Sequence, residues 1–160
     1  MNLSKVVSHF FEEVSRRDSD RTTLVRNDGI VVYASLDIKK EAASIGALVG
    51  GVWQAAEALN SQVGSSTDLQ DYRFSFDKSD SGIYILPINV GSKMYYLSTL
   101  YKDTFNPALL KRNFRVLKEE LEAYLDEHFV ETKKVKNTKN KNDFLFNNIT
   151  DEEMDNLFAF

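Results

Sequence analysis

The chain of 160 residues contains no cysteine, only two histidines and only two prolines. Without cysteine it can form neither a disulfide nor a thiolate metal site, and a reducing compartment is the simpler expectation. His9 and His128 have no second ligand at the spacing of a metal site, and His128 suits the negative end of a helix. The sequence therefore predicts neither a metal nor a cofactor.

Motifs that carry phosphate or acid–base chemistry are also missing. No Gly-x-x-x-x-Gly-Lys-Ser/Thr loop occurs, and the glycines of residues 46–51 lie in a helical pattern with no lysine after them. Acid–base catalysis needs two carboxylates that converge in a pocket, whereas Asp77 and Asp80 are expected on a solvated surface, as are Glu41 and Glu57. We therefore predict a protein that is not an enzyme.

The chain has no long uninterrupted apolar segment. Its N-terminus mixes Lys5 and Glu12 into apolar positions, so no signal peptide is predicted. The most apolar stretch, residues 42–59, contains Gln54 and Glu57, which are costly in lipid. The formal net charge of −4 argues against nucleic-acid binding. We expect a cytoplasmic protein without membrane insertion.

Apolar residues make up 42% of the chain, enough for a core, and their spacing defines the first half of the fold. Residues 3–14 have the spacing of an amphipathic helix. Two β-rich runs within residues 22–34 flank Gly29, which can supply the positive φ of a tight turn, and predict a β-hairpin. Asp37 is expected to cap a long helix over residues 39–62.

The long helix carries an unusual number of small residues, including three glycines. Each glycine costs a helix interior about 1 kcal/mol relative to alanine, so the glycines need a structural reason. Close approach of the helix backbone to a sheet is one reason, and close crossing of two helices is the other.

The second half of the pattern predicts three strands and a helix. Residues 72–77, 82–89 and 93–101 alternate apolar and polar positions between turn residues, as in an antiparallel meander. Asn106, followed by a proline, has the features of a helix N-cap, and the apolar face of the helix that follows ends near His128.

The composition changes after this helix and predicts three regions: a domain over residues 1–130, a lysine-rich flexible linker over 131–142, and a docking tail over 143–160. The tail combines acidic with large apolar residues and contains no basic residue. Thr150 and Glu153 have the spacing of a capping box at the start of a short helix.

The tail resembles the N-terminal peptide of the flagellar switch protein FliM, whose Leu-Ser-x-x-Glu-Ile-Asp-x-Leu-Leu pattern docks on the receiver protein CheY. The match covers ten residues, with Met in place of Ile and Phe in place of Leu. A helix this short is marginal alone, so we expect it to order on a receiver domain, on another protein, or on its own domain or dimer mate. The predicted docking residues are Ile149, Glu153, Met154, Asp155, Leu157 and Phe158.

The order of elements over residues 1–128 resembles the roadblock/LC7 family, which includes dynein light chains and the bacterial MglB-like regulators of Ras-like GTPases. Residues 24–32 are similar to the opening hairpin of the family, residues 42–59 to its long helix, and residues 83–100 to its closing strands. Profilin-like, longin and PAS-like sensor domains share a similar order of elements.

The resemblance implies an α+β fold, in which a five-stranded antiparallel sheet carries the long helix on one face and the terminal helices on the other. It also implies a homodimer formed through the long helix and the strand beside it, and a small Ras-like GTPase as partner. The expected dimer interface contains Ala42, Ala43, Gly46, Ala47, Gly50, Trp53 and Phe74. The alternative is a small-molecule sensor of PAS or profilin type.

Overall fold

The computed structural model describes residues 2–14, 21–64 and 68–139. Its main elements are α1 (Leu3–Val14), β1 (Thr22–Arg26), β2 (Val31–Ala34), α2 (Ala42–Ser61), β3 (Phe74–Asp77), β4 (Gly82–Val90), β5 (Lys93–Tyr101) and α3 (Pro107–Lys139). The strands form one antiparallel sheet in the order β2-β1-β5-β4-β3. The compact unit formed by this sheet and its helices ends at Asp126.

One face of the sheet is covered by α2. A hydrophobic cluster forms there between the helix and three central strands, and it consists of Val25, Val49, Trp53, Ile85 and Tyr96. The rings of Trp53 and Tyr96 stack with centroids 5.2 Å apart. Burial of these large side chains supplies much of the hydrophobic stabilisation of this layer.

The opposite face of the sheet is covered by α1 and α3. The ring of Phe11 in α1 stacks on Tyr33 at 4.2 Å between centroids, and Phe114 of α3 packs against Tyr84. Phe10 and Tyr124 join the two helices, with centroids 5.2 Å apart. The predicted fold class, with the long helix on one face and the terminal helices on the other, is therefore confirmed.

A β-bulge in β2 directs Val31 to the face of the sheet under α2 and Tyr33 to the face under α1. Val31 pairs with Val25, whereas Tyr33 pairs with Leu24, so the strand holds one residue more than its partner at this point. A bulge of this kind changes which face the following side chains point to. The extra residue, Val32, offers its carbonyl to the hydroxyl of Ser4, which donates a hydrogen bond at 2.8 Å.

The hairpin turn and α2 approach each other closely because both contain glycine. Gly29 has a φ of +86°, and a Cβ placed on it would lie 3.3 Å from the Cα of Ala47. A Cβ on Gly46 would lie 2.4 Å from Val31 Cγ2 and 2.6 Å from the Gly29 carbonyl. Of the two structural reasons for these glycines, close approach to the sheet of the same chain is the one observed.

The sequence predicted Asp37 as the N-cap of α2 and Asn106 as the N-cap of α3, and only the second is observed. Asp37 lies in a short 3₁₀ turn, Leu36–Ile38, and α2 begins only at Ala42 after an N-cap residue that makes no side-chain capping bond. The prediction that Asp37 caps the long helix is therefore wrong. Asn106 does cap α3, since its Oδ1 accepts a hydrogen bond from the Leu109 N–H at 3.0 Å.

The third helix is longer than expected. It continues to Lys139, so residues 131–139 of the predicted linker have a helical backbone. No glycine or proline follows Pro107 in the chain, and lysine and glutamate favour helix, so nothing in the local sequence ends α3 near His128. Residues 140–160, with the predicted tail, lie outside the described residues.

The glycine contact predicts opposite effects for two glycines of the same helix. Gly46→Ala should lower the free energy of unfolding by about 1–3 kcal/mol, because the added methyl group meets the backbone of Gly29. Gly51→Ala should raise it by up to about 1 kcal/mol, since no atom lies within 4 Å of the added Cβ. Urea denaturation of both variants at one protein concentration measures this, and equal effects would contradict the assigned contact.

Candidate interaction surface

The outward side of α2 lacks the charges that normally cover an exposed helix face. Glu57 is the only charged residue in the helix, and Leu48 and Leu59 are 67% and 73% exposed. The exposed residues of the helix are Ala43, Ser44, Ala47, Leu48, Gly51, Gln54, Ala55, Glu57, Ala58, Leu59 and Ser61. A contiguous face of small and apolar residues is typical of a protein–protein contact.

The neighbouring edge of the sheet adds an exposed aromatic ring. Within the described chain β3 pairs with β4 alone, so its other edge is open. Phe76 in this strand is 76% exposed, while Phe74 packs against the cluster beneath α2. We call the exposed residues of α2 together with the open edge of β3 the α2–β3 surface.

The predicted dimer residues separate into two groups in the structure. Ala43 and Ala47 are exposed on α2, and Ala42 and Phe74 are half-buried. Gly46 and Gly50, in contrast, are buried against Gly29, and Trp53 is 3% exposed in the core. The expectation that these last three residues face a second chain is therefore corrected: they face the sheet of their own chain, whereas Leu48 and Phe76 lie on the surface.

The other edge of the sheet, formed by β2, has a different character. It carries the bulge and gives the carbonyl of its bulged residue to Ser4. These are features that oppose pairing with a further strand. An open groove of about 1020 Å³ runs beside this edge, between α1 and the start of α2.

A polar cluster links the end of β3 to β5 and to α3, which covers the face of the sheet opposite α2. The Tyr101 hydroxyl donates a hydrogen bond to Asp77 Oδ2 at 2.6 Å, and the Lys111 ammonium of α3 contacts the same oxygen. The Lys111 contact, followed by the Tyr101 hydrogen bond, lowers the pKa of Asp77. Burial, followed by the same carboxylate, raises the pKa of Tyr101 above its usual range.

The sequence indicated a solvated surface position for Asp77, and the residue is exposed in the structure. What the sequence did not indicate is its pairing with Tyr101 and Lys111. The pairing joins residues 34 positions apart in the chain, and no local pattern reveals it. Because Asp77 ends the open edge strand, the cluster holds that strand in place beside the exposed face of α2.

Two further features are absent from the described part of the chain. Among these residues, no group of three or more His, Cys, Asp or Glu side chains is arranged to hold a metal ion. No helix in the same ranges combines the length and apolar character needed to cross a bilayer. The six predicted docking residues of the tail lie outside the described ranges.

Comparisons with known proteins place the fold. Neither a protein-family model nor a curated protein sequence matches the chain. Solved structures do match. MglB of Myxococcus xanthus has a TM-score of 0.57 and 14% identity, and the match covers 79% of this chain and 89% of that one. The gliding protein MglB of Thermus thermophilus has a TM-score of 0.59 and 19% identity, and the match covers 79% of this chain and 93% of that one. The fold is that of a roadblock/LC7 domain.

A structure from outside the MglB proteins supports the same conclusion. The roadblock/LC7 domain of Streptomyces avermitilis has a TM-score of 0.55 and 20% identity, over 78% of this chain and 98% of that one. At these identities the likeness establishes a roadblock/LC7 fold, and the residues of any interface have to be argued from this chain itself.

The Asp77 cluster predicts a shift that titration can measure. Lys111→Met should raise the pKa of Asp77 towards its ordinary value of about 3.9, since the largest cause of its lowering is removed. NMR titration of the side-chain carboxyl carbon reports this. Lys78→Met is the matched control, because that lysine pairs with Asp80 instead; an equal shift in both variants would contradict the assignment.

The same interaction predicts how stability depends on pH. A carboxyl group whose folded pKa is lowered stabilises the fold above its unfolded pKa, and this contribution is lost as the pH falls through the lowered folded value. The wild-type protein should therefore be more stable than Asp77→Asn at neutral pH. The difference in melting temperature should disappear in acid, below the usual range of aspartate, and a difference that persists there would count against the ion pair.

Proposed function

We propose that this chain is a homodimeric, non-enzymatic adaptor that regulates a small Ras-like GTPase in the cytoplasm. The observation that carries the proposal is the roadblock/LC7 fold shared with two MglB proteins, at TM-scores of 0.57 and 0.59. Bacterial members of the family that the sequence resembles bind Ras-like GTPases and modulate them without supplying an arginine finger. No residue of this chain is assigned a contact with the GTPase.

The α2–β3 surface is the proposed dimer interface. It combines an exposed, nearly uncharged helix face with an open strand edge. The helix face exposes apolar surface to water, and the strand edge can pair with another strand. A further MglB structure at 19% identity is described as having a tetrameric arrangement, which supports self-association in this fold. The bulged β2 edge offers a poorer surface for strand pairing.

The C-terminal residues 143–160 form the second part of the proposal. Their acidic and apolar composition and their capping-box spacing suit a peptide that becomes helical in the groove of a partner. A receiver domain is the partner class that the resemblance to the FliM peptide implies.

The alternative function, a small-molecule sensor, is not favoured by a specific observation. The cavity between α2 and the sheet that is lined by Trp53 and Tyr72 has a volume of about 60 Å³. Pockets for small molecules are about 300–1,000 Å³ and bury most of the ligand. The larger groove beside β2 is open to solvent along its side.

The dimer proposal is tested by placing a charge on the α2–β3 surface. Leu48→Glu should shift the protein from dimer to monomer, because it buries an unpaired carboxylate in the interface. Leu36→Glu is the matched control, since Leu36 is 85% exposed in the turn after β2. Light scattering during gel filtration measures the mass. A wild-type monomer would refute the dimer, and a dimeric Leu48→Glu variant would refute this interface.

The regulatory proposal is tested by capture from native lysate, with the full chain and with a version ending at Val130, each with GDP or a non-hydrolysable GTP analogue. Both versions should retain a Ras-like GTPase in a nucleotide-dependent way, and only the full chain should retain a receiver-domain protein. The captured GTPase is then purified and its GTP hydrolysis and nucleotide exchange are measured with and without this protein. No change in either rate, and no nucleotide-dependent capture, would refute the regulatory function.

A further inference from the structure

The outer side of α3 carries exposed apolar residues at a heptad spacing. Leu109 and Val116 are 48% and 47% exposed, and Ala123, seven residues further along the helix, is exposed as well. Residues seven apart lie on the same side of a helix, with a drift of about 20° per heptad. Phe105 precedes the N-cap and is fully exposed, although an apolar residue at that position often packs on its own helix. We call these four residues the α3 stripe.

The charges of this helix are segregated along its length. Residues 107–118 contain four basic residues and no acidic one, whereas residues 119–126 contain four acidic residues and no basic one. The helix macrodipole favours acidic residues near the N-terminus, yet the first turn of α3 contains none. The intrinsic preferences of a helix therefore do not explain this order of charges.

Contacts within the chain use most of the basic residues but leave two opposite charges on the outer side. Lys111, Arg115 and Lys118 each contact a polar side chain of their own chain. Arg112 and Glu119 are exposed and make no ion pair with another described residue. They lie on the same side of the helix and about 10 Å apart along its axis, which is too far for them to pair with each other.

From this arrangement we infer that a second copy of the chain packs its α3 on the first, outer side to outer side and antiparallel, with a twofold axis at Val116. The two copies of Val116 then meet, and Leu109 of each copy lies opposite Ala123 of the other. Because Phe114 packs α3 on Tyr84, this contact lies on the face of the sheet opposite α2. The inference goes beyond the proposed dimer and uses none of its surface.

Charge complementarity favours a second copy as the occupant of the stripe. The twofold axis keeps corresponding sides of the two helices together, and it brings Arg112 of each copy within one residue of Glu119 of the other, about 1.5 Å along the axis. Two pairs of opposite charges therefore form at once. A helix that is basic at one end and acidic at the other complements an identical helix only when that helix is reversed.

The sizes of the apolar residues favour the same orientation. Phe105 and Leu109 lie at the basic end of the stripe, and the small Ala123 lies at the acidic end. Reversal packs large side chains on a small one, which lets the two surfaces interdigitate. A parallel pair would instead place Leu109 on Leu109 and bring the two copies of Arg112 together, and like charges oppose association.

Neighbouring antiparallel registers lose the charge pairing. A shift of one heptad that places Leu109 opposite Val116 brings the two copies of Arg112 together, and the shift that places Val116 opposite Ala123 brings the two copies of Glu119 together. The register centred on Val116 is therefore the one in which apolar contacts and opposite charges coincide. The contact spans only about four helical turns, so we expect it to form at higher concentration than the α2–β3 dimer.

Single introduced cysteines test the register, because the chain has none. Helix axes about 8–10 Å apart place the Cα atoms of the two copies of residue 116 about 3.5–5.5 Å apart, which overlaps the range that a disulfide spans. Val116→Cys should therefore give a covalent dimer on mild oxidation, and its failure to link would contradict the register.

Ala123→Cys is the matched control, since it lies in the same stripe but its two copies are about 21 Å apart and should not link. A mixture of Leu109→Cys and Ala123→Cys should link, because each of these residues lies opposite the other. A disulfide between two copies of Ala123→Cys would show a parallel pair and would overturn the inference.

An exchange of charges tests the ion pairs. Light scattering during gel filtration should show the mass of the wild-type protein double as its concentration rises. Arg112→Glu and Glu119→Arg should each weaken this step on the order of tenfold, because like charges then face each other, and the double variant should restore it. Lys93→Glu, with the same change of charge on an exposed residue of β5, should leave it unchanged. A double variant no better than the single ones would refute the pairing.

The outcomes distinguish this contact from the proposed dimer. Leu48→Glu should break only the α2–β3 dimer, so that protein should still double its mass at high concentration through α3. A wild-type protein that remains a dimer at every soluble concentration, unaffected by Arg112→Glu, would overturn the α3 contact and leave the dimer standing. If Arg112→Glu rather than Leu48→Glu abolishes all association, the α3 contact stands and the α2–β3 interface is wrong.

Discussion

The close contact between α2 and the hairpin turn is the constraint on which the rest of this fold depends. Gly29 takes a positive φ that completes the turn, and Gly46 and Gly50 leave room for its backbone. The helix can therefore lie directly on the edge of the hairpin, which brings Trp53 over the centre of the sheet. Glycine makes the helix intrinsically less stable, and the tertiary contact offsets that cost.

The same contact determines what the helix leaves exposed. Because glycine and large apolar residues point inwards, alanine and leucine occupy the outer side of α2, and Glu57 is its only charge. On the other face of the sheet the Asp77–Lys111 pair anchors the end of β3 to α3. The exposed helix face and the open strand edge are thus held next to each other by two unrelated interactions, one apolar and one ionic.

Local patterns in the sequence predicted most of the elements: α1, the hairpin around Gly29, the meander and the Asn106 cap agree with the structure. The small-residue stripe could not be assigned from spacing alone, because packing on a sheet and packing on a second helix require the same residues. The pairing of Asp77 with Lys111 depends on tertiary structure, which periodicity does not encode. The end of α3 was misjudged because charge density is a weaker determinant of helix length than the absence of glycine and proline.

The five-stranded sheet has two edges, β2 and β3, and they differ in how open they are to pairing with a further strand. The edge formed by β2 is less able to pair with another strand, because it carries a bulge and because the carbonyl of Val32 accepts a hydrogen bond from the Ser4 hydroxyl. The other edge keeps a regular strand, an exposed phenylalanine and an adjacent apolar helix, and no part of the described chain covers it. Because an unprotected edge invites aggregation, its retention is most simply explained by a specific partner strand. A symmetric copy would satisfy this requirement without leaving a new edge in the same place, which agrees with the closed dimer proposed above.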